Sequence, residues 1–140
     1  MATIVKLERP RAFEGIERNE CGVFALSAVL CIEYATARDM LSAAGRKPRH
    51  GTFPGQIERA LVKAGHKYTK RFINKGLATT PLGRLQRPIA ARVLEYVAPR
   101  GHFIVGTTTH WFAVVDGVIY DNGGLGTLRG RLECSIQIEI

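Results

Sequence analysis

The chain has 140 residues, of which 46% are hydrophobic and 23% charged, and its formal net charge is +8. This length suits one domain rather than two, and the composition excludes a disordered tail, a collagen-like repeat and a coiled coil. No apolar run approaches the roughly 20 residues of a membrane span, and the first residues lack a signal peptide's apolar stretch, so we expect one cytoplasmic domain over residues 1–140 without a membrane partner.

Three helices are predicted in the first half of the chain. Residues 21–34 are apolar on nearly every side, which is typical of a buried helix, and Asn19 is placed to cap its N-terminus. A second, short helix is predicted from a capping-box variant at residues 36–39, and it ends at Gly45. A third is predicted over residues 54–65, because Pro favours the first helical position and Gly favours the residue after the end.

Strands are predicted in the second half of the chain. An aspartate and a glycine at residues 116–117 are typical of a two-residue type I′ turn between two of these strands. A turn is predicted at residues 74–76, and a glycine-rich loop near the functional cleft at residues 123–126. The segments with strand-like composition are residues 66–73, 101–107, 110–115 and 118–122.

The C-terminal segment alternates between apolar and polar residues, which predicts a half-buried strand. Because the predicted helices precede most of the strands, we expect an α+β domain in which the buried helix packs on an antiparallel sheet. The apolar face of the last strand carries Leu132, Cys134, Ile136, Ile138 and Ile140.

The three cysteines are an odd number without a close pair. Their spacing favours neither a disulfide framework nor a zinc site, and it suits a reducing compartment. Cys31 is rotated about 80° from Cys21 around a helix, and Cys134 points with the apolar face of its strand, so Cys21 is the candidate reactive thiol. We expect no cofactor and no metal; the glycine-rich loop also lacks the Lys-Ser/Thr of a phosphate-binding loop.

The net positive charge is concentrated between residues 45 and 75, where Glu58 is the only acidic residue. Arg46, Lys47 and Arg49 lie in this stretch and predict a basic surface. Such a surface attracts an acidic substrate, an acidic protein face or nucleic acid, or it is simply a solvated face. Nucleic acid is not favoured, because the stretch lacks the interleaved aromatic residues of single-strand binders.

The predicted hairpin places a histidine beside a carboxylate. With a two-residue turn after Val115, His110 and Asp121 fall on the same face of the sheet as diagonal neighbours. Their expected separation is about 7 Å or less, which a carboxylate side chain can bridge. Asn122 falls on the opposite face, so Asp121 is the expected partner of His110.

A reactive cysteine fits this histidine. Cys21 is predicted in the first turn of the buried helix, where the helix dipole favours a thiolate. A nearby imidazole stabilises that thiolate and can return a proton to a leaving group. A cysteine at a helix start, followed by a His–Asp pair on a later hairpin, is the arrangement that acyl-transfer enzymes use.

Three sequence segments point to one family. NECGVFALS at residues 19–27 resembles the N-D-C-x-x-R-A-L-A opening of small papain-like cysteine peptidase domains, of the type found in uncharacterised phage and bacterial proteins. Residues 101–121 are similar to the His–Asp hairpin of those domains, and residues 43–52 to the loop between the two motifs.

The resemblance implies a papain-like fold and a cysteine hydrolase, a thiol peptidase or amidase that works through a thioester acyl-enzyme. It implies Cys21 as nucleophile, His110 as base and acid, and Asp121 as the residue that orients the imidazole. The expected substrate is a peptide or protein, an acidic one among the candidates, or another amide such as an isopeptide or a peptidoglycan cross-link. The alternative is the same fold without catalysis, in a phage-encoded protein that binds a host factor or belongs to the virion.

Two departures from the family pattern concern the residues before the cysteine. Papain-type enzymes usually carry a glutamine about six residues before it as an oxyanion donor, and Gly15 occupies that place here. Asn19 is the expected substitute, with the backbone N–H of Cys21 as the second donor. Glu20 stands where the family usually has Asp.

Overall fold

The structure is a computed structural model that describes residues 3–73, 78–79, 85–86, 89–123 and 128–139. The α-helices are α1 (Cys21–Leu30), α2 (Tyr34–Ala43) and α3 (Pro54–Lys63), and 3₁₀ helices span Arg11–Phe13 and Ala90–Glu95. The strands are β1 (Thr3–Lys6), β2 (Tyr68–Phe72), β3 (Ala78–Thr79), β4 (Leu85–Gln86), β5 (His102–Thr107), β6 (Trp111–Val115), β7 (Val118–Asp121) and β8 (Leu132–Ile138). The predicted α+β class is confirmed.

Six strands form one sheet in the order β1-β7-β6-β5-β8-β2, and β3 pairs with β4. β1 runs parallel to β7, whereas the other described neighbours in this sheet are antiparallel. The sheet is therefore mixed, and the prediction of an antiparallel sheet was wrong at this edge. β1 was not predicted because its four mostly exposed residues carry no alternation of apolar and polar side chains.

α1 is the central helix of the protein. It packs on β5, β6 and β7 and against α2, and Val23, Leu26 and Val29 are fully buried. Among the described residues, no single helix has the length and apolar composition of a membrane span; α1 and α2 reach it only when taken together, across a bend of 114°.

Both ends of α1 differ from the prediction. The helix stops at Leu30, because Cys31 adopts a left-handed conformation with φ of 54°, and it does not continue to residue 34. At the N-terminus the cap position is Glu20, and no side chain caps the helix there. Asn19 is left-handed as well, with φ of 54°, so its predicted capping role was wrong.

The next two helices lie close to their predicted positions. α2 begins at Tyr34, earlier than predicted, and the chain turns away at Gly45, whose φ of +109° suits glycine. α3 begins at Pro54, as predicted, and it is followed by Gly65 with φ of +81°. Ile57 is among its fully buried residues, so α3 closes the helical side of the core.

The hairpin of β6 and β7 has the predicted register. Val115 pairs with Val118, and the turn residues Asp116 and Gly117 have φ of 48° and 80°, as a type I′ turn requires. The Asp116 carboxylate also accepts a hydrogen bond of 2.8 Å from the backbone N–H of Gly101, the residue before β5. The turn is therefore tied to the neighbouring strand.

The sheet is buried on both faces. Ile104, Trp111 and Ile136 are among the strand residues that pack against the helices. The opposite face forms a second core cluster, which includes Val93 of the 3₁₀ helix together with the strand residues Phe103, Val105, Phe112, Val114 and Ile119. The central strands therefore bury side chains on both faces of the sheet.

The alternation predicted for β8 is interrupted near its start. Gly106 pairs with Cys134 but Thr107 pairs with Leu132, so Glu133 lies in a bulge. Because of this bulge, Leu132 belongs to the second core cluster, whereas Cys134 faces the helices with the later isoleucines. Ile140, the turn at residues 74–76 and most of the glycine-rich loop lie outside the described residues.

Candidate active site

Cys21 is the first residue of α1 and lies at the wall of a cleft of about 550 Å³, which we call the Cys21 cleft. The side chain is half-buried. The buried body of α1 fixes the position of this cysteine relative to the sheet. The other lining residues are Arg9, Asn19, Glu20, residues 51–54, residues 107–111, Asn122 and Glu133.

His110 and Asp121 form the contact that the hairpin register predicted. His110 Nε2 lies 2.6 Å from Oδ1 of Asp121, which is 1% exposed. The same Oδ1 accepts a hydrogen bond of 2.9 Å from the backbone N–H of Asn122. The ring of His110 stacks on Phe112 at 6.3 Å between centroids. The imidazole is therefore oriented from its edge and from its face.

One ring nitrogen of His110, Nε2, is engaged by Asp121. The other, Nδ1, is left for proton exchange in the cleft that Cys21 and His110 line together. Burial lowers the pKa of His110, but hydrogen bonds to Asp121 and Cys21 and the charge of Asp121 outweigh it and raise the pKa to about 9. The imidazole is therefore protonated at neutral pH, and an imidazolium favours a neighbouring thiolate.

Asn19, the predicted oxyanion donor, lines the Cys21 cleft. Its side-chain amide donates a hydrogen bond of 3.1 Å to the backbone carbonyl of Arg49. One of its two amide hydrogens is thereby used. Gly15, at the place where papain-type enzymes carry glutamine, has φ of +75°, and an added Cβ there would meet open space. The oxyanion role of Asn19 stays a prediction.

The loop around Thr52 forms another part of the cleft wall. Trp111 Nε1 donates a hydrogen bond of 2.9 Å to the carbonyl of Thr52 and so ties this loop to the sheet. A Cβ at Gly22 would overlap Thr52 Oγ1, so only glycine allows α1 and the loop to approach this closely. Phe53 stands at the rim with 71% of its surface exposed. The family resemblance of residues 43–52 includes Thr52, but it did not place this loop at the cleft.

A buried carboxylate holds the loop that leads to this wall. Glu17 accepts two hydrogen bonds of 3.0 Å from Arg46, one of 2.6 Å from Arg38 and one of 2.8 Å from the backbone N–H of Arg49. Burial raises the pKa of Glu17, but these hydrogen bonds outweigh it and lower the pKa to about 2. Glu17 thus ties the segment before the nucleophile to α2 and to the loop.

The prediction of a basic surface was wrong for Arg46. Arg46 is buried, at 3% exposure, because Glu17 compensates its charge in the interior. Lys47 and Arg49 are exposed, as predicted. The charge count grouped Arg46 with the basic residues near it in sequence. Its acidic partner, Glu17, lies 29 residues earlier in the chain and was not considered.

A second buried carboxylate, Glu20, precedes the nucleophile directly. Glu20 is 3% exposed and accepts a hydrogen bond of 2.5 Å from Nε of Arg9. Arg9 therefore lies in the Cys21 cleft, although it comes from the segment after β1. The sequence motif contained Glu20, but Arg9 was missed because nothing close to it in sequence points to the cleft.

The other cysteines lie away from the Cys21 cleft. Cys31 is exposed, and Cys134 is buried among apolar side chains, which raises the pKa of its thiol. His102 Nδ1 lies 2.7 Å from the backbone carbonyl of Val29 at the end of α1. The described residues contain no group of side chains suited to hold a metal ion.

Comparisons of the chain with protein-family models, with curated proteins and with solved structures found no match. Any assignment of function therefore depends on the geometry of the Cys21 cleft and on the sequence motifs.

Proposed function

We propose that this protein is a cysteine hydrolase of amide bonds, with a papain-like fold. The observation that carries the proposal is the 2.6 Å contact of His110 with the buried Asp121, in the cleft where Cys21 begins α1. Supporting it, the three residues follow the order Cys, His, Asp along the chain. A nucleophile, a base and an orienting group within reach of one another are the signature of covalent catalysis.

In this mechanism the Cys21 thiolate attacks the carbonyl carbon of the scissile amide and forms a C–S bond. The oxyanion is held by the backbone N–H of Cys21 and by Asn19. The His110 imidazolium then protonates the leaving amine as the C–N bond breaks, which leaves a thioester. Neutral His110 next takes a proton from water, the hydroxide attacks the thioester, and the C–S bond breaks to release a carboxylate product and the thiolate.

The proposed substrate is a peptide or protein, or another amide such as an isopeptide or a peptidoglycan cross-link. A cleft of about 550 Å³ with an exposed aromatic ring at its rim, Phe53, has room for more than one residue of an extended chain. A phage-encoded protein is the proposal that follows from the family resemblance.

Selective alkylation is the first test of the nucleophile. We expect iodoacetamide to modify Cys21 well below pH 8 and ahead of Cys31 and Cys134, measured by mass spectrometry of the peptides. Cys31→Ser is a matched control, because that cysteine is the exposed one and its loss should leave the modification of Cys21 unchanged. Preferential labelling of Cys31 or Cys134 would contradict the assignment.

Hydrolysis is the second test. We expect the wild-type protein to cleave members of a mixed peptide and isopeptide library, and Cys21→Ala to cleave none while it keeps the circular dichroism spectrum of the wild type. Cys31→Ser should retain the activity. If Cys21→Ala cleaves as fast as the wild type, Cys21 is not the nucleophile.

The engaged amide of Asn19 favours a second candidate function. With one hydrogen of Asn19 given to the Arg49 carbonyl, and Gly15 in place of glutamine, the cleft has fewer oxyanion donors than papain-type enzymes have. A non-catalytic binding protein needs none. Its biological effect would be indifferent to Cys21→Ala but sensitive to charge reversal at the exposed Lys47 and Arg49.

A further inference from the structure

Arg9 occupies an unusual position in the Cys21 cleft. It follows the edge strand β1, but its Nε donates to Glu20, the residue directly before Cys21. The Glu20 side chain is 3% exposed, whereas that of Arg9 is 34% exposed. The guanidinium therefore has an inner edge anchored by a buried carboxylate, and the rest of the side chain is partly exposed. Arg9 lines both the Cys21 cleft and a neighbouring cleft that contains Glu14.

The outer part of this guanidinium is free to bind a ligand. Within the described residues, neither terminal nitrogen of Arg9 donates a hydrogen bond to an acceptor. A guanidinium presents its N–H donors as a planar fork that matches a carboxylate, and a fork held in advance loses less entropy on binding. No first-turn acid or side-chain cap occupies the N-terminus of α1 beside it.

We infer that Arg9 binds a carboxylate of the substrate, so that this hydrolase prefers amides that carry an acidic side chain or a free terminal carboxylate next to the scissile bond. The inference rests on the proposed function, because it uses Cys21 as the nucleophile of the same cleft. It also moves the recognition of an acidic substrate from the basic stretch after residue 45 to a single residue beside the nucleophile.

The positions of the charged residues indicate on which side of the cleft the substrate carboxylate binds. Glu133 lines the cleft as well, but it belongs to β8, which lies four strands from β1 in the sheet. At about 4.8 Å between neighbouring strands, these two strands are about 19 Å apart. His110 precedes β6, which lies between them. A substrate carboxylate therefore binds on the Arg9 side of the nucleophile, away from Glu133.

Two alkylating reagents of nearly equal size test the inference without knowledge of the natural substrate. Iodoacetate carries a carboxylate and iodoacetamide a neutral amide, and both react with Cys21. We expect Arg9→Gln to lower the ratio of the iodoacetate rate to the iodoacetamide rate about tenfold, as the loss of a hydrogen bond to a charged group implies. The iodoacetamide rate of each variant is the reference that corrects the ratio for any change in the reactivity of Cys21 itself.

Three variants serve as controls. Arg11→Gln removes the same charge from an exposed residue that does not line the cleft, and it should keep the wild-type ratio. Arg9→Lys keeps the charge but loses the fork, and its ratio should fall in between. The double variant Arg9→Gln with Glu20→Gln removes both charges, so it tests Arg9 without leaving a buried carboxylate unpaired.

The outcomes separate the two proposals. If Cys21 is alkylated ahead of the other cysteines but the ratio of rates is the same in the wild type, Arg9→Gln and the double variant, the carboxylate site is wrong and the proposed hydrolase stands. If iodoacetamide does not favour Cys21 in the wild type, the nucleophile is wrong, and the inference about Arg9 fails with it.

Discussion

The two halves of the candidate site are built in different ways. The hairpin half carries His110 and Asp121, which are eleven residues apart and meet through the register of one two-residue turn. The helix half carries Cys21, and its surroundings are held by Glu17 and Glu20, whose partners lie 29 and eleven residues away. The first half follows from local geometry, whereas the second depends on buried ion pairs between separate elements.

This difference indicates where each half is vulnerable. In the hairpin half, a substitution changes the proton chemistry of His110 and leaves most of the packing intact. In the helix half, loss of Glu17 leaves the buried Arg46 without compensation, and the loop that leads to Thr52 in the cleft wall loses its anchor. Four substitutions test this division, beginning with the largest expected effect.

Loss of the imidazole tests the hairpin half most directly. We expect His110→Gln to lower the rate of amide hydrolysis about 10²–10⁴-fold, which is the usual contribution of a general acid–base group. The free energy of unfolding should change much less, since 12% of this side chain is exposed and it lies at the cleft. Hydrolysis of the library peptides and urea denaturation measure the two effects. If His110→Gln unfolds easily but its folded fraction hydrolyses the peptides at the wild-type rate, the division between the two halves is wrong.

Loss of the buried carboxylate tests the helix half. We expect Glu17→Gln to reduce the free energy of unfolding by about 3–5 kcal/mol, because one partner of a buried ion pair is left uncompensated. Urea denaturation measures this change. Glu95→Gln is the matched control, since Glu95 pairs with Arg92 on the exposed surface, and it should have little effect. Equal stability of the two variants would show that the Glu17 network does not hold the cleft loop.

The pKa of His110 tests whether Asp121 stabilises the imidazolium or only lies close to the ring. Asp121→Asn removes the charge that helps to raise this pKa to about 9, so we expect the pKa to fall by about one unit or more toward the ordinary value near 6.5. NMR titration of the ring protons measures it. An unchanged pKa would mean that Asp121 does not stabilise the imidazolium.

The same shift has a consequence for stability. Since the folded state binds the His110 proton more tightly than the unfolded chain, this contribution is fully present below about pH 6.5 and is lost as the pH rises through about 9. Denaturation between these pH values should therefore show a decline in the wild type that is smaller in Asp121→Asn.

The smallest expected effect concerns the hairpin turn. Gly117 has φ of +80°, so we expect Gly117→Ala to cost about 1–2 kcal/mol from the strained left-handed backbone. For the stability change alone, Gly51→Ala is a matched control, since a Cβ there meets open space and its backbone φ is not positive. If the turn sets the register as argued, Gly117→Ala should also lower hydrolysis, whereas an unchanged rate would show that strand packing alone aligns His110 with Asp121.

The candidate site was predicted from sequence to different extents in its two halves. The contact between His110 and Asp121 was predicted from strand alternation and the turn, and it is confirmed. The position of Cys21 at a helix start was predicted from the apolar run that follows it. Arg9 was missed, and the loop around Thr52 was matched to the family pattern but not placed at the cleft. Each reaches the cleft through a partner in another element and carries no periodic pattern.

The sequence by itself determined the α+β class, the starts of α1 and α3, and the hairpin that joins His110 to Asp121. These features depend on periodicity and turn geometry among residues close in the chain. Only the tertiary structure decided that β1 adds in parallel, that β8 carries a bulge, that Arg46 is buried and that Arg9 lies beside Cys21. The reason is that the burial of a charge, and the place of a strand in a sheet, depend on partners far away in the sequence.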